Sequence, residues 1–245
     1  MIPCLLVRAG QLVKTERFVA PRYVGDPVNA VRIFNDKEVD ELVVLDIEAR
    51  QTQRGPDFAY VAELAGEAFM PICYGGGVQK LDDFAALFRA GIEKVATTTA
   101  AVDTPELIHQ AAKQFGSQSI VVGIDVRRSR RGRAEVFVEA GRRAAGIDPV
   151  GHAVAAQDLG AGEIMLTAID REGTGDGYDL ELIESVASAV EIPVIAHGGA
   201  AGTDDLGAAL GAGASAVAAG SMFVFHGRRR AVLISYPSVD ERESL

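Results

Sequence analysis

The chain has 245 residues, 48% of them hydrophobic, a formal net charge of −10 and only two cysteines. This length and apolar content predict a domain with a large core, while the cysteine count excludes a disulfide-stabilised scaffold and favours a reducing cytoplasm. The acidic balance argues against a nucleic-acid partner, no apolar run reaches membrane-spanning length, and residues 2–8 lack the charged leader and cleavage site of a signal peptide.

Short apolar runs recur along the chain, at residues 2–7, 41–47, 70–74, 94–97, 120–126, 163–167, 192–196 and 214–219. Most are separated by stretches with helical periodicity, at 58–69, 81–90, 105–115, 147–159 and 180–189. An alternating segment around 135–139 predicts a small β excursion over the mouth of the fold. Alternating strands and helices, with eight strands in all, predict one (β/α)8 barrel over residues 1–245.

The chain also repeats itself. Residues 74–77 (Tyr-Gly-Gly-Gly) and the helix after them align with residues 197–200 (His-Gly-Gly-Ala) and their helix at a spacing of 123 residues. After a one-residue slip the match continues and places residues 98–99 opposite residues 220–221. We therefore predict two half-barrels, at about 1–117 and 118–245, although a chance match in Ala- and Gly-rich sequence is the alternative.

Glycines directly after a barrel strand let the backbone approach an anion, and the amides that follow point outward unpaired. Both halves carry such glycines, with hydroxyl donors from neighbouring loops. The predicted phosphate-binding residues are Gly75, Gly76, Gly77, Thr98 and Thr99 in the first half, and Gly173, Thr174, Gly198, Gly199, Gly220 and Ser221 in the second. Two facing sites suit a substrate with a phosphate at each end, or a diphosphate at one site. The alternative is that these glycines only form tight turns.

Several segments together resemble the cyclase subunit of imidazole glycerol phosphate synthase: residues 2–5, 25–27, 40–43, 74–77, 99–101, 115–118, 124–125, 160–164 and 169–174. The resemblance covers nearly the whole chain. It implies a barrel that receives ammonia from a glutaminase docked at its N-terminal face. In that family, ammonia crosses the barrel, cleaves a bis-phosphorylated ribonucleotide and closes an imidazole ring at the C-terminal face.

The resemblance assigns acid/base chemistry to two aspartates, at the ends of the first and fifth strands. Asp125 matches the second, but Leu6 stands at the first, and a leucine cannot exchange a proton. Lys14 matches a mobile lysine that covers the family's substrate, although it could be an ordinary exposed lysine. Three further departures are expected to alter the substrate mouth: Thr98 replaces asparagine, Glu172 replaces aspartate, and His197 replaces a small hydroxyl residue.

At the opposite end, Glu41, Lys94 and Glu163 begin the second, fourth and sixth predicted strands and match three of the family's four ammonia-gate residues. The fourth, an arginine, would precede Met1. Buried charges need partners, so an alternating acidic and basic ring is a plausible neutralising set. A salt-bridge cluster without a role in transport is the alternative.

Residues 2–6 and 230–237 resemble a divergent branch of the family found in surface-polysaccharide gene sets. That resemblance implies a glutaminase, a separate ATP-dependent amidotransferase, and amidination of a nucleotide-linked sugar for lipopolysaccharide O-antigen. With Leu6, it makes ammonia delivery in this pathway our first hypothesis. The alternatives are a genuine histidine-pathway cyclase and a non-catalytic phosphate-binding scaffold that activates a glutaminase.

No cofactor is expected, and a metal site is not supported because the histidines at 109, 152, 197 and 226 lack ligand spacing to one another. His197 adjoins the second glycine pair and could contact phosphate. The five arginines within residues 127–133 could meet an anionic substrate or a partner protein, or form a solvated hairpin tip.

Overall fold

Eight parallel strands form a closed barrel in the computed structural model of the chain, which describes residues 1–50, 52, 54–227, 229–238 and 241. Pairing of Ile2 with Ala218 closes the barrel between the first and last strands. The barrel strands are Ile2–Arg8, Leu42–Asp46, Ile72–Gly75, Lys94–Thr97, Ile120–Arg128, Glu163–Ala168, Val194–His197 and Ala216–Ala219. The predicted (β/α)8 fold is confirmed, and each predicted strand overlaps an observed one.

Helices surround the barrel, at Pro27–Asp36, Phe58–Glu67, Leu81–Arg89, Glu106–Phe115, Pro149–Asp158, Leu180–Ala187 and Thr203–Gly211. Two shorter helices, Thr99–Asp103 and Ser221–Val224, follow the fourth and eighth barrel strands. Four of the longer helices begin at an aspartate whose carboxylate accepts a hydrogen bond from the amide three residues later. Each such cap contributes about 1 kcal/mol. Within the described residues, no helix is long and apolar enough to cross a membrane.

Side chains along each barrel strand alternate between the barrel interior and the layer beneath the helices. On the first strand, Cys4 and Leu6 face the interior, while Leu5 and Val7 pack in the outer layer. The buried interior cluster consists of Ile2, Cys4, Leu6, Val13, Val43, Cys73, Ala96, Val121, Met165, Ile195 and Ala218. Small and branched side chains therefore fill the interior, in keeping with a sequence that has no tryptophan.

Among the residues that the structure describes, two β-hairpins pair directly with barrel strands at the C-terminal end of the barrel. After the fifth strand, Ala134–Val138 pairs antiparallel with that strand and then with Arg143–Ala144, so the predicted β excursion is confirmed. After the first strand, Gln11–Glu16 pairs with that strand and with Val19–Gly25. This first hairpin was not predicted from the sequence.

From the second and sixth barrel strands onward, strand register and loop contacts recur at a spacing of 122 residues, whereas the sequence aligned the glycine loops at 123. Gly76 and Gly198 both adopt positive φ, and a Cβ on either would collide with the carbonyl oxygen of the equivalent residue, Asp46 or Ala168. The spacing is also 122 before the loops, between Leu45 and Thr167, so the predicted change of spacing after the loops was wrong. His197 is consequently the equivalent of Gly75 at the strand end, whereas the sequence alignment had matched it to Tyr74.

Candidate active site

A cavity of about 180 Å³ opens at the C-terminal end of the barrel. It has room for several water molecules or a small substrate group. Most of the predicted mouth residues line it, namely Gly75, Gly76, Gly77, Thr98, Thr99, Asp125, Glu172 and His197, together with Leu6. The cavity thus brings the first glycine loop and the strand-end carboxylate to one place.

Asp125 lies at the C-terminal part of the fifth strand and faces this cavity. Burial raises the pKa of its carboxyl from 3.8 to about 7; a hydrogen bond with Thr167 opposes this rise, and the nearby charge of Glu172 adds to it. A carboxyl with a pKa near neutrality can both accept and release a proton under physiological conditions. Asp125 is therefore equipped for acid/base chemistry.

Leu6 occupies the same place in the first half-barrel as Asp125 in the second. Leu6 pairs with Leu45 in the neighbouring strand, and Asp125 pairs with Thr167, which lies 122 residues after Leu45. Each also pairs with a residue of the hairpin that follows its own strand: Leu6 pairs with Val13, and Asp125 pairs with Phe137. Register therefore makes Leu6 the counterpart of Asp125, with an alkyl group where the other half has a carboxyl.

A polar chain crosses three adjacent strands beside Asp125. Thr167 interacts with the Asp125 carboxyl, and its Oγ1 lies 3.2 Å from Nδ1 of His197. Burial lowers the pKa of His197 to about 3, helped by the positive charge of Lys14. His197 is therefore a neutral imidazole that contributes polarity at the mouth without charge. Thr167 was not predicted, although a hydroxyl residue ending a predicted strand was a usable signal.

Lys14 is buried, with 3% exposure, on the first hairpin. Its Nζ donates a hydrogen bond of 2.5 Å to the carbonyl oxygen of Cys4 and lies where a side chain on Gly220 would otherwise project. Burial lowers the pKa of Lys14, while nearby Cys4 and Glu172 act in the opposite direction. The structure thus excludes an ordinary exposed lysine and places the ammonium beside the second glycine loop.

Glu172 holds the first hairpin over the mouth. Its Oε2 accepts hydrogen bonds from Thr15 Oγ1 at 3.0 Å and from the Phe18 amide at 3.1 Å. The Arg17 amide donates to the backbone oxygen of Glu172 at 2.9 Å. The predicted mouth residue therefore also anchors the loop above it.

The first predicted phosphate loop set is assembled in the cavity wall. Thr98 packs its hydroxyl against Gly123, and Thr99 Oγ1 accepts a hydrogen bond from the Glu139 amide at 3.1 Å, leaving its own proton free to be donated. Arg50 lines the same cavity, with its guanidinium 3.5 Å from Asp103. Arg50 was not predicted, because it lies in a loop that carries no glycine motif.

The second loop set forms a smaller adjoining pocket of about 10 Å³, lined by Glu172, Gly173, His197, Gly198, Gly199, Ala200, Ala219, Gly220 and Ser221. That volume admits about one water molecule, so an anion needs a side chain to move. Thr174 does not line this pocket: its hydroxyl donates to Arg171 O at 2.8 Å and accepts from the Asp176 amide. Thr174, which was predicted to bind phosphate, therefore lies outside this pocket.

At the N-terminal end of the barrel, the three predicted gate residues meet. Lys94 Nζ lies 2.9 Å from Glu41 Oε2 and 2.8 Å from Glu163 Oε1. The side chains are 15–20% exposed, and Glu41 Oε1 is buried without a hydrogen-bond partner. Burial raises the pKa of Glu41, whereas its hydrogen bond with Lys94 lowers it. One cation is thus shared by two carboxylates in a polar cluster at the N-terminal end of the barrel.

Of the five arginines within residues 127–133, two make contacts within the fold and three are exposed. Arg127 lies over the Phe137 ring at 4.8 Å, and Arg128 forms ion pairs with Asp179 and Glu181. The arginines at 130, 131 and 133 are exposed near the hairpin turn. Arg127 and Arg128 therefore contribute to the fold, while the partner role of the exposed three stays a prediction.

The cysteines are both buried and free, and burial raises the pKa of each thiol. Among the residues described, no group of three or more histidine, cysteine or acidic side chains is placed to hold a metal ion.

Comparison with known proteins agrees with this arrangement. The family described as "Histidine biosynthesis protein" matches residues 1–229. The chain belongs to the HisF family of imidazole glycerol phosphate synthase subunits. It is 51% identical to the putative subunit hisF2 of Pseudomonas aeruginosa, over 98% of this chain and 96% of the relative. It is 45% identical to subunit HisF of Streptomyces avermitilis, over 92% of this chain and 90% of that protein. Family membership therefore rests on nearly the full length of the barrel.

Proposed function

We propose that this chain is the ammonia-accepting barrel subunit of a glutamine-dependent synthase and acts on a phosphorylated substrate at the barrel mouth. The observation that carries the proposal is the position of Asp125 in the mouth cavity beside a glycine loop, with the charged entrance cluster at the other end of the same barrel. A glutaminase subunit is the partner that would supply ammonia at the entrance.

The barrel interior supports transfer of neutral ammonia. Between the Glu41–Lys94–Glu163 cluster and the mouth lies the buried apolar interior cluster, which ends at Leu6. An apolar lining disfavours the charged ammonium ion far more than neutral ammonia. A cluster that opens by breaking one Lys94 ion pair would admit ammonia from a docked glutaminase and exclude ammonium.

The first candidate reaction is that of imidazole glycerol phosphate synthase in histidine biosynthesis, because relatives carrying that name cover at least nine-tenths of this chain. Asp125, with its pKa of about 7, supplies one acid/base group for it. The two glycine loop sets would hold the two phosphates of the ribonucleotide substrate.

The second candidate is ammonia delivery for amidination of a nucleotide-linked sugar, with an ATP-dependent amidotransferase as a further partner. Leu6 favours it, because the position equivalent to Asp125 cannot exchange a proton. In this case the barrel mouth passes ammonia onward, and the acetamidino-sugar chemistry takes place on the partner.

Assays with ammonium salt and the bis-phosphorylated ribonucleotide separate these candidates. For the histidine-pathway reaction we expect slow turnover by the wild type, about 10²-fold faster turnover by Leu6→Asp, and loss of activity in Asp125→Asn. Leu6→Asn is the matched control, since it adds a polar group without an acid. Absence of turnover in both wild type and Leu6→Asp contradicts the cyclase reaction and leaves ammonia delivery. If Asp125→Asn also leaves the assembled complex unchanged, a non-catalytic scaffold is favoured.

A further inference from the structure

The C-terminal hairpin lies against the second glycine loop set. Its strands, Phe225–His226 and Ala231–Val232, pair antiparallel. The segment that follows the hairpin is held against the helix Ser221–Val224 by two hydrogen bonds. The Leu233 amide donates to Val224 O and the Ser235 amide donates to Phe223 O, both at 2.9 Å. The turn of this hairpin is thereby held beside the smaller pocket.

Arg230, in that turn, directs its guanidinium onto the pocket wall. Both terminal nitrogens lie 3.3 Å from Gly173 O, and Nη2 lies 3.5 Å from Ser221 Oγ. The guanidinium carbon lies 4.7 Å from the centre of the Phe225 ring, which Arg22 approaches at 5.4 Å. Arg230 therefore bridges two loops that line the pocket, with an aromatic ring holding its plane.

The charge of Arg230 is only weakly compensated in this position. Gly173 O and Ser221 Oγ are neutral acceptors at long distances, and the carboxylate of Glu16 lies 4.0 Å away on a side chain that is 58% exposed. Glu172 also lines the pocket, but its Oε2 is engaged by Thr15 and Phe18 of the first hairpin. A phosphate oxygen would be a better partner for Arg230 than Gly173 O or Ser221 Oγ, since charge-assisted hydrogen bonds are shorter and stronger.

We propose that Arg230 is a ligand of the second anion site and that the C-terminal hairpin is the element that delivers it to a terminal phosphate monoester. The guanidinium exchanges Gly173 O and Ser221 Oγ for two phosphate oxygens, and the Ser221 hydroxyl, which only accepts from Arg230, can donate its own proton to the same group. The pocket itself admits about one water molecule, so a lining side chain must also shift to admit the phosphate. Lys14, whose Nζ abuts Gly220, supplies the second positive charge. The inference rests on the proposed phosphate site at these loops.

The test is titration of isotope-labelled protein with glycerol phosphate, following the backbone amides of the two glycine loops separately by NMR. We expect Arg230→Gln to weaken binding at the Gly198–Gly199 loop by about 10- to 100-fold, because a charge-assisted hydrogen bond to the phosphate is lost. Binding at the Gly75–Gly77 loop should be unchanged. Arg230→Lys should be intermediate, since it keeps the charge and loses the planar fork.

Arg229→Gln is the matched control, because Arg229 is an exposed neighbour in the same turn and should leave both loops unaffected. If wild type and Arg230→Gln bind equally at the second loop, Arg230 is not a ligand, although the phosphate site stands. If wild-type amides of that loop do not respond at all, both the phosphate site and the role of Arg230 are wrong. Should Arg230→Gln fail to fold, Arg230→Lys decides: affinity equal to wild type overturns the proposed guanidinium contact.

Discussion

Asp125 and Leu6 occupy equivalent places in the two half-barrels but have opposite chemistry. The strand register makes them counterparts, because their cross-strand neighbours Thr167 and Leu45 are themselves 122 residues apart. Burial raises the pKa of the Asp125 carboxyl to about 7, whereas Leu6 adds only apolar surface to the interior cluster. Of these two equivalent positions, only the one in the second half-barrel can exchange a proton.

The raised pKa of Asp125 predicts a pH-dependent cost to stability. Because the folded state keeps this proton to about pH 7 and the unfolded carboxyl loses it near pH 3.8, stability should fall as pH rises between these values. We expect Asp125→Asn to reduce the loss of unfolding free energy between pH 5 and pH 8 by about 2–3 kcal/mol. Urea denaturation at the two pH values measures this.

Asp158→Asn, at an exposed helix end, is the control and should leave the pH dependence unchanged. An Asp125→Asn variant with the wild-type pH dependence would show that the carboxyl ionises in the folded barrel as readily as in the unfolded chain. Catalysis gives a second check: a step that uses the Asp125 carboxylate as base should speed up as pH rises through about 7.

At the scale of elements, the hairpin Gln11–Glu16 and Val19–Gly25 covers the mouth and positions Lys14. The hairpin is attached to the loop that follows the barrel strand Glu163–Ala168. This attachment depends on Glu172, which accepts hydrogen bonds from Thr15 and Phe18. Gly173, directly after Glu172, is also required there, because a Cβ at its φ of +74° would collide with Thr15 O.

Replacing Glu172 with alanine should release this hairpin. We expect a loss of about 2 kcal/mol in unfolding free energy, since two hydrogen bonds to a carboxylate are removed. Amide hydrogen exchange should accelerate at residues 11–25 far more than in the barrel strands. Glu172→Gln keeps an acceptor oxygen and serves as the control, with a smaller effect. Equal acceleration throughout the barrel would mean that Glu172 supports the whole fold and not the hairpin.

At the scale of the whole molecule, the barrel separates two polar ends by an apolar interior. The entrance cluster holds one lysine between two glutamates, and the mouth holds Asp125, Lys14 and Glu172. Parallel strands cause this separation, because all their first residues meet at one end and all their last residues at the other.

Lys94→Met should destabilise the barrel by leaving Glu41 and Glu163 facing each other without a cation. We expect a loss of about 2–4 kcal/mol at pH 8, because breaking a partly buried ion pair leaves uncompensated charge. The loss should shrink at pH 5: burial already raises the pKa of Glu41, and removing Lys94 takes away the hydrogen bond that lowers it, so protonation relieves the repulsion. Thermal or urea unfolding at both pH values measures this.

Lys113→Met, at an exposed helix position, is the control for loss of a lysine. In a complex with a glutaminase, Lys94→Met should also lower product formation from glutamine more than from added ammonium salt. Equal effects on the two nitrogen sources would contradict a role in ammonia entry and leave a salt-bridge cluster.

The sequence by itself determined the barrel, the positions of its eight strands, and the strand-end placement of Asp125, Lys94 and the glycine loops. Local apolar runs and glycine turns carry that information, because strand and turn formation depend on neighbouring residues. The sequence alignment of the two halves was wrong by one residue at the glycine loops. From sequence alone, the three glycines at 75–77 can be matched to the two glycines at 198–199 in two ways. The first hairpin was missed because its inward-facing Lys14 and Thr15 break the apolar alternation.

Tertiary structure alone decided which side chains meet across the mouth. Thr167 joins Asp125 to His197, Glu172 engages a hairpin more than 150 residues earlier in the chain, and Arg230 reaches Gly173 from the C-terminal segment. These contacts join residues far apart in the chain, so no local pattern encodes them. The pKa values of Asp125 and His197 were equally beyond the sequence, because burial, which only the closed barrel creates, is the largest cause of both shifts.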